Sequence, residues 1–252
     1  MKNIWVVFKR EIQAYFLTPL AYVFIFIFLI LSMILCFVMG GLLENEDASL
    51  NFSFFQFHPW LFMILGPAIG MRLWSEENRE GTIELLLTMP ISAWQAIIGK
   101  YLAACVVLIA ALAMTFPVVI TLNILGDPDM GRIWSGYLGS FLIGAASVAI
   151  TTLVSAFTRS QVICLVVSVV INFILVIIGF GPVLEFLRNI PAGGFLEGVR
   201  LLALQVADGF SYLSHGMRIF GGLLRLDSIV FFLSVIGFSL YATSVVIRSK
   251  RA

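Results

Sequence analysis

Long apolar runs separated by short polar segments dominate the chain. The six runs cover residues 21–43, 58–74, 95–125, 133–157, 161–181 and 227–247. About 20 apolar residues in a helix cross the ~30 Å hydrocarbon layer of a bilayer. The pattern therefore predicts an all-α polytopic membrane protein with six transmembrane helices. Gly66-Pro67 and Gly70 interrupt the second run, and Pro117 lies inside the third.

Residues 1–18 follow a different, amphipathic pattern. The apolar positions at helical spacing are Trp5, Phe8, Ile12, Tyr15 and Phe16. The polar positions on the other side are Lys2, Lys9, Arg10, Glu11 and Gln13. This pattern predicts an interfacial helix whose apolar face lies in lipid and whose basic groups lie at the headgroups. Thr18-Pro19 ends it, because proline removes a donor and restricts its predecessor.

The segment 182–226 is too interrupted for a span and too apolar for a free loop. Pro182, Pro191 and Gly193-Gly194 divide it. We expect a pair of short helices that dip back into the membrane from the outer side, as an outer re-entrant segment. Irregular backbone at membrane depth is tolerated only where protein or water covers it.

The composition agrees with a membrane protein of one domain, residues 1–252. Hydrophobic residues make up 61% of the chain and charged residues 12%, whereas a soluble domain is about a quarter charged. The net charge of +1 gives no field that would attract nucleic acid. Cys36, Cys105 and Cys164 all lie inside apolar runs, where we expect free thiols facing lipid or protein. The first run is too long for a signal peptide and lacks a cleavage site.

The positions of the basic residues predict the orientation. An even number of spans places both termini on one side, and ten of the 15 Lys and Arg residues lie there. These ten are Lys2, Lys9, Arg10, Arg72, Arg79, Lys100, Arg159, Arg248, Lys250 and Arg251. The other five are Arg132, Arg188, Arg200, Arg218 and Arg225. By the positive-inside rule, both termini are cytoplasmic, and we expect a multi-pass protein of the cell inner membrane.

The only dense charge cluster lies between the second and third runs, in residues 74–92. Its acidic start favours a helix N-terminus. Glu80 and Glu84 share one helical face, whereas an apolar stripe of Ile83, Leu86 and Leu87 occupies another. The pattern predicts an amphipathic helix over residues 76–90. Ser92, with Gln95 three positions later, predicts a capping box for the next helix.

The apolar stripe favours a protein partner. A solvated loop does not need such a stripe, although most charged loops next to a membrane are merely solvated. An acidic helix is also unsuited to an anionic cytoplasmic leaflet. We therefore expect this helix to dock into a groove on another, cytoplasmic protein.

Two motifs resemble those of ABC-2 type transporter permeases. The run Glu77-x-x-x-Gly81-Thr82-x-Glu84-Leu85-Leu86-Leu87-x-x-Pro90-Ile91 resembles the family's coupling-helix signature. The opening Lys9-Arg10-Glu11-x-x-x-Tyr15-Phe16-x-x-Pro19 resembles its N-terminal interfacial helix. The order of elements also matches, so the resemblance covers the whole chain. The length and short outer loops most resemble the branch that contains gliding-motility and copper-enzyme-maturation permeases.

The resemblance implies a permease subunit that pairs with a second permease subunit, identical or not. Cytoplasmic ABC ATPase subunits would dock on residues 76–90, and ATP with Mg would bind to the ATPase. The direction it implies is export. Motif and helix faces together assign ATPase docking to Glu77, Glu80, Gly81, Thr82, Glu84, Leu86 and Leu87.

The chain shows no catalytic, cofactor or metal motif of its own. Around Gly99-Lys100, Trp94 stands where a P-loop has glycine and Tyr101 where it has Ser or Thr. His58 and His215 lack neighbouring ligands at metal spacing. The spans contain almost no ionisable groups, which argues against a carrier coupled to an ion gradient.

Small and hydroxyl residues line one face of the fourth run. They include Ser147, Thr151 and Ser155, and Asn172 is the one strongly polar residue in the fifth run. Such residues allow close helix packing within one subunit. Packing is the interpretation that we favour, and a pathway or a subunit interface is the alternative.

Two alternative functions remain open from the sequence. In the first, the complex uses ATP to act mechanically on a periplasmic partner held by residues 44–57 and 182–226, without moving cargo. In the second, the chain is a carrier that works alone. Membrane lipid surrounds the protein in each case, and an amphipathic or lipidic cargo fits the apolar spans.

Overall fold

The computed structural model describes residues 2–42, 50–82, 91–126, 128–189 and 195–250, and their regular structure is helical throughout. The first six helices are α1 (Lys2–Leu17), α2 (Pro19–Ile34), α3 (His58–Gly70), α4 (Arg72–Glu80), α5 (Ala93–Ala113) and α6 (Phe116–Leu125). The next six are α7 (Met130–Phe157), α8 (Gln161–Ile177), α9 (Gly181–Asn189), α10 (Phe195–Phe210), α11 (Tyr212–Phe220) and α12 (Leu226–Ser249). A π-helical turn (Leu35–Met39) extends α2, and a 3₁₀ turn (Phe55–Phe57) precedes α3.

The helix α7 lies at the centre of the fold. It contacts α3, α4, α5, α8, α11 and α12. Its glycines let neighbours approach closely: a Cβ at Gly144 would lie 2.7 Å from Leu108 Cδ2, and one at Gly139 would lie 2.9 Å from Phe220 Cε1. Small residues are a common means of packing membrane helices, since lipid supplies no hydrophobic driving force between them.

The closest approach to α7 is made by α3. A Cβ at Gly66 would lie 2.7 Å from Ser147 Cβ, and one at Gly70 would lie 2.8 Å from Thr151 Cβ. The Ser147 hydroxyl donates to the carbonyl of Phe62 over 2.9 Å. The small-residue face predicted for the fourth run is therefore paired with a second glycine pattern on α3.

Four helical segments are long and apolar enough to cross a membrane: Pro19–Met39, Ala93–Ile124, Met130–Phe157 and Leu226–Ser249. A fifth is formed by Gln161–Ile177 together with Gly181–Asn189, if that pair, bent by 61°, is one span. These segments confirm a polytopic helical membrane protein.

The second predicted span, residues 58–74, divides into two helices. The apolar α3 has 13 residues, and the polar α4 begins after Met71. Together they run beside α7, since His58 Nδ1 lies 2.5 Å from Ser140 Oγ and Asn78 Nδ2 donates to the Ser155 carbonyl over 3.2 Å. Because neither helix reaches the length of a span, the count of six crossings stays a prediction.

The N-terminal helix ends where the sequence predicts, with Thr18 before Pro19 at the start of α2. The predicted lipid-facing stripe, however, is wrong for Tyr15. This side chain is 3% exposed, and its hydroxyl donates to the Ile69 carbonyl over 2.9 Å. Trp5, from the same predicted stripe, is 65% exposed. The helix therefore packs part of its apolar face against the protein.

The described residues of the segment 182–226 form three helices, α9, α10 and α11, rather than the expected pair. Ser211 separates α10 from α11, because its side chain accepts from the backbone N–H groups of Leu213 and Ser214 and caps α11. The helix α11 buries Tyr212, Ile219 and Phe220 against the bundle. Because of this cap, residues 195–220 form two helices instead of one. Residues 190–194 lie outside the described residues.

Substitution of Gly66 tests the close approach of α3 to α7. Gly66→Ala places a methyl group against Ser147, and overpacking of this kind costs about 1–3 kcal/mol. We expect a lower thermal unfolding midpoint in detergent. The matched control is Gly237→Ala on α12, where a Cβ meets nothing within 4 Å. Equal midpoints for the two variants would show that α3 and α7 are not in tight contact.

Candidate functional site

The helix α4 forms the part of the predicted coupling segment that the structure describes. It buries Leu73, Trp74, Ser75 and Asn78 and ends at Gly81, whose φ of 70° is left-handed. A residue without Cβ adopts this conformation at little cost, and it is a common helix stop. The prediction of one continuous helix over residues 76–90 is therefore wrong.

The acidic residues also occupy a different position from the predicted one. Glu76 and Glu77 lie in the later turns of α4, which begins at Arg72. The expectation that they start a helix is wrong, because the sequence pattern does not reveal that residues 72–75 are already helical. Residues 83–90, which include Glu84, Leu86 and Leu87, lie outside the described residues.

A network of four charges joins α4 to α1 and α5; Arg10 is 53% exposed, and the other three side chains are largely buried. Lys100 Nζ lies 3.0 Å from Glu77 Oε1 and 3.1 Å from Glu11 Oε1. Arg10 Nη2 lies 2.7 Å from Glu11 Oε1 and 3.4 Å from Glu77 Oε1. The Lys100 side chain is only 3% exposed. The formal charges of the four groups cancel, which is the condition under which burying them is tolerated.

The network favours the ionised forms of Glu11 and Arg10. Burial by itself raises the pKa of Glu11, but the charges and hydrogen bonds of Lys100 and Arg10 outweigh burial and hold this pKa below its usual value. Burial likewise lowers the pKa of Arg10, but Glu11 and Glu77 outweigh it and the pKa is raised. Lys100 also lies 5.2 Å from the centroid of the Trp74 ring, in cation–π geometry.

Asn78 fastens α4 to the ends of α7 and α12. Its Nδ2 lies 3.2 Å from the Ser155 and Ala156 carbonyls and 3.1 Å from that of Thr158. Lys250 Nζ donates to Asn78 Oδ1 over 2.8 Å and to the Ala156 carbonyl over 2.6 Å. The last carbonyls of a helix lack partners within it and attract donors and cations. We call these contacts, together with the four-charge network, the α4 junction.

Three of the residues assigned to ATPase docking lie at the outer edge of α4 or just after it. The Glu80 side chain is 53% exposed, Gly81 is exposed and Thr82 is half-buried. Glu77, in contrast, is 14% exposed and belongs to the charge network. A docking role for all of these residues stays a prediction.

The capping box predicted after this segment is confirmed. Gln95 donates its backbone N–H to the Ser92 hydroxyl over 3.3 Å, and Gln95 Oε1 accepts from the Ser92 N–H over 3.1 Å. The helix α5 therefore starts at a fixed point close to the α4 junction. Asn3 of α1 donates to Gln95 Oε1 over 3.4 Å.

The candidate pathway or interface residues lie inside the single chain. Ser147, Thr151, Ser155 and Asn172 are all fully buried. The Thr151 hydroxyl donates to the Ser147 carbonyl over 2.8 Å, and Asn172 Nδ2 donates to the Ser168 carbonyl over 2.8 Å. Each of these two bonds joins residues four positions apart within one helix. A role of the four residues in a pathway or interface stays a prediction.

Neither histidine lies in a metal-binding group. His58 is buried among Phe28, Phe54 and other aromatic rings, and His215 lies 3.1 Å from both Ser228 Oγ and the Gly209 carbonyl. Within the described part of the chain, no three His, Cys, Asp or Glu side chains are placed to hold a metal ion.

Sequence reasoning did not identify Asn78, Lys100 or Lys250 as site residues. Lys100 carried one usable signal, because it is a cation near the start of a long apolar run. Such a group needs a partner at membrane depth. Asn78 carried no such signal, since an asparagine in a charged segment is ordinary.

Apolar helices packed around a central α7, with a charged junction at one end, define a helical polytopic membrane protein. The sequence matches the family model described as ABC-2 family transporter protein over residues 43–246. That match covers more than half of the chain, and the chain belongs to this family. No curated protein matches the sequence significantly. The chain is therefore a membrane permease component of an ABC transporter.

The four-charge network predicts a strong effect of removing its least exposed member. Lys100→Met leaves Glu11 and Glu77 with only the half-exposed Arg10 as a cation, and breaking a buried ion pair from one side costs about 3–5 kcal/mol. We expect a large fall in the free energy of unfolding in detergent. Lys9→Met, at an exposed lysine of α1, is the control. A similar small effect in both variants would contradict the burial of Lys100.

The lowered pKa of Glu11 predicts how stability depends on pH. A carboxyl with a depressed folded-state pKa stabilises the fold above its unfolded pKa, about 4.3 for Glu, and this contribution is lost as the pH falls through the folded-state pKa. We expect Glu11→Gln to be less stable than wild type at pH 7 but to lose less stability in acid. Parallel pH profiles would contradict the assignment.

Proposed function

We propose that this permease component couples ATP hydrolysis by a separate cytoplasmic ABC ATPase to export of a substrate, as one of two permease subunits. The α4 junction is the observation that carries this proposal. One short helix is fixed at its inner face to α1, α5, α7 and α12, while Arg79 and Glu80 at its end are exposed. Such a helix can transmit a displacement to four others.

The contacts of the α4 junction favour transmission of a displacement of α4 to the neighbouring helices over a movement of α4 alone. Glu77 and Asn78 are adjacent, so a single turn of α4 holds Lys100 on one side and the end of α7 on the other. Moving α4 alone would separate buried charges, which is costly. Because packed interiors respond to displacement by switching arrangement rather than by stretching, the contacting helices are expected to move with α4.

The ATPase is assigned to another chain, with ATP and Mg bound there. The absence of a P-loop around Gly99-Lys100 supports this, as does the family to which the chain belongs. The assignments of export as the direction and of the inner membrane as the location are based on the family resemblance. The branch of gliding-motility and copper-enzyme-maturation permeases stays a prediction.

The contacts of α4 support cytoplasmic termini. Arg10 near the N-terminus and Lys250 near the C-terminus contact the neighbouring residues Glu77 and Asn78. Both ends of the described chain therefore lie at the same end of the bundle as the docking segment. This arrangement agrees with an even number of crossings and with the excess of basic residues on that side.

Charge reversal at the exposed end of α4 tests ATPase docking. We expect Glu80→Arg to reduce both the ABC ATPase recovered with the tagged chain from its own membranes in mild detergent and the Mg-ATP hydrolysis of that preparation. Glu84→Arg, in the adjoining segment, is expected to act in the same direction. The measurements are quantitative mass spectrometry and phosphate release.

The matched control is Glu197→Arg on α10. Its side chain is also 53% exposed and pairs with a nearby arginine, as that of Glu80 does, but it lies in the predicted outer segment. Equal ATPase recovery in the Glu80 and Glu197 variants would refute docking at α4. ATP hydrolysis in liposomes that is stimulated by a periplasmic protein rather than by cargo would contradict export. It would support the alternative in which the complex acts mechanically on that protein.

A further inference from the structure

Two cavities of opposite character meet at Arg72. One is a polar cavity of about 370 Å³ beside the four-charge network, and Glu76, Glu80 and Thr82 are among the residues that line it. The other is an apolar groove of about 450 Å³ between α2 and α3. Arg72 lines both. A ligand that occupies both must have a charged end and a hydrocarbon end.

The groove has the shape and lining of an acyl-chain site. Its residues include Leu20, Val23, Phe24 and Ile27 from α2 and Leu65 and Ala68 from α3. From Pro19 to Ile27 the helix rises about 12 Å, so the groove follows the first turns of a predicted span into the hydrocarbon layer. Thr18 and Arg72 form its polar end.

Arg72 is placed to hold a phosphate. Its Nε donates to Glu76 Oε2 over 3.1 Å and its Nη1 to Thr18 Oγ1 over 3.3 Å. The guanidinium centre lies 5.9 Å from the centroid of the Tyr15 ring. A guanidinium carries five N–H donors in a fixed plane, so it can keep these contacts and still donate to a phosphate.

The charges around the polar cavity favour a headgroup that also carries an amine. Three cations, Arg10, Arg72 and Lys100, line it against four carboxylates. Glu11 and Glu77 are committed to the buried network, whereas the side chains of Glu76 and Glu80 are 32% and 53% exposed. A purely anionic headgroup would add to an excess of negative charge. A zwitterion leaves the balance unchanged and offers an ammonium to these carboxylates.

We propose that the α2–α3 groove binds a zwitterionic phospholipid with a primary amine, of the phosphatidylethanolamine class. One acyl chain lies along Val23 and Ala68, the phosphate is held by Arg72 and Thr18, and the ammonium faces Glu76 and Glu80. Because Arg72 is the first residue of α4, a bound lipid fixes the position at which α4 begins. The site requires no ATPase, although Glu80 belongs both to this site and to the proposed docking end of α4.

Competition between lipids tests the site directly. The full chain is reconstituted in nanodiscs with equal amounts of phosphatidylethanolamine, phosphatidylglycerol and phosphatidylcholine. Lipids retained after transfer to mild detergent are counted by native mass spectrometry. We expect preferential retention of phosphatidylethanolamine. Equal retention of the three lipids, or preference for phosphatidylglycerol or phosphatidylcholine, overturns the proposal.

Two variants separate the headgroup contact from the acyl-chain contact. Arg72→Gln is expected to lower phosphatidylethanolamine retention about tenfold, the loss of one charge-assisted hydrogen bond. Ala68→Phe fills the groove, and we expect it to abolish retention of every headgroup. Because it leaves the charges in place, Ala68→Phe decides the question if Arg72→Gln does not fold.

The controls repeat the same substitutions elsewhere. Arg159→Gln removes an exposed arginine from the same predicted side of the membrane, and Ala242→Phe enlarges a half-buried alanine of α12. Both are expected to retain lipid like the wild type. Wild-type retention in Ala68→Phe, or an equal loss in Ala242→Phe, overturns the proposal, whatever ATPase docking experiments show.

Discussion

A lysine almost shielded from solvent determines how one end of this protein is assembled. Lys100 needs anions because an unpaired buried charge is far more costly than a paired one. Glu11 supplies one from 89 residues away and Glu77 supplies the other. The positions of α1, α4 and α5 are therefore linked. If any one of these helices moved away, at least one buried charge on the remaining two would lose a partner.

The rest of the bundle is held by a different kind of contact. Along α7, glycine and hydroxyl residues allow backbones to approach, as at Gly66 and Ser147. These contacts involve no net charge and suit a region surrounded by lipid. Asn78 connects the two regimes, because it belongs to α4 yet satisfies carbonyls at the end of α7. Asn78 therefore connects the packed helices of the bundle directly to the charge network at its end.

Local sequence signals predicted local structure well. The apolar runs predicted the helices of the four candidate spans, and the capping box at Ser92 and the break at Pro19 are present. Features set by distant partners were not accessible. Tyr15 was expected to face lipid because its spacing is amphipathic, but its hydroxyl has a partner 54 residues away. The charge network joins residues that no local pattern relates.

Gly81 shows a second limit of pattern reasoning. Helical periodicity can be counted across a glycine, and the stripe of residues 83–87 was counted together with Glu80. The left-handed Gly81 ends the helix that contains Glu80, and residues 83–87 lie outside the described residues. The same region explains why the second apolar run was short. Its chain changes at Met71 from a helix that packs against α7 within the bundle to a polar helix whose charges are paired by α1 and α5. One continuous segment therefore supplies both the apolar α3 and the charged α4, whose contacts reach α1, α5, α7 and α12.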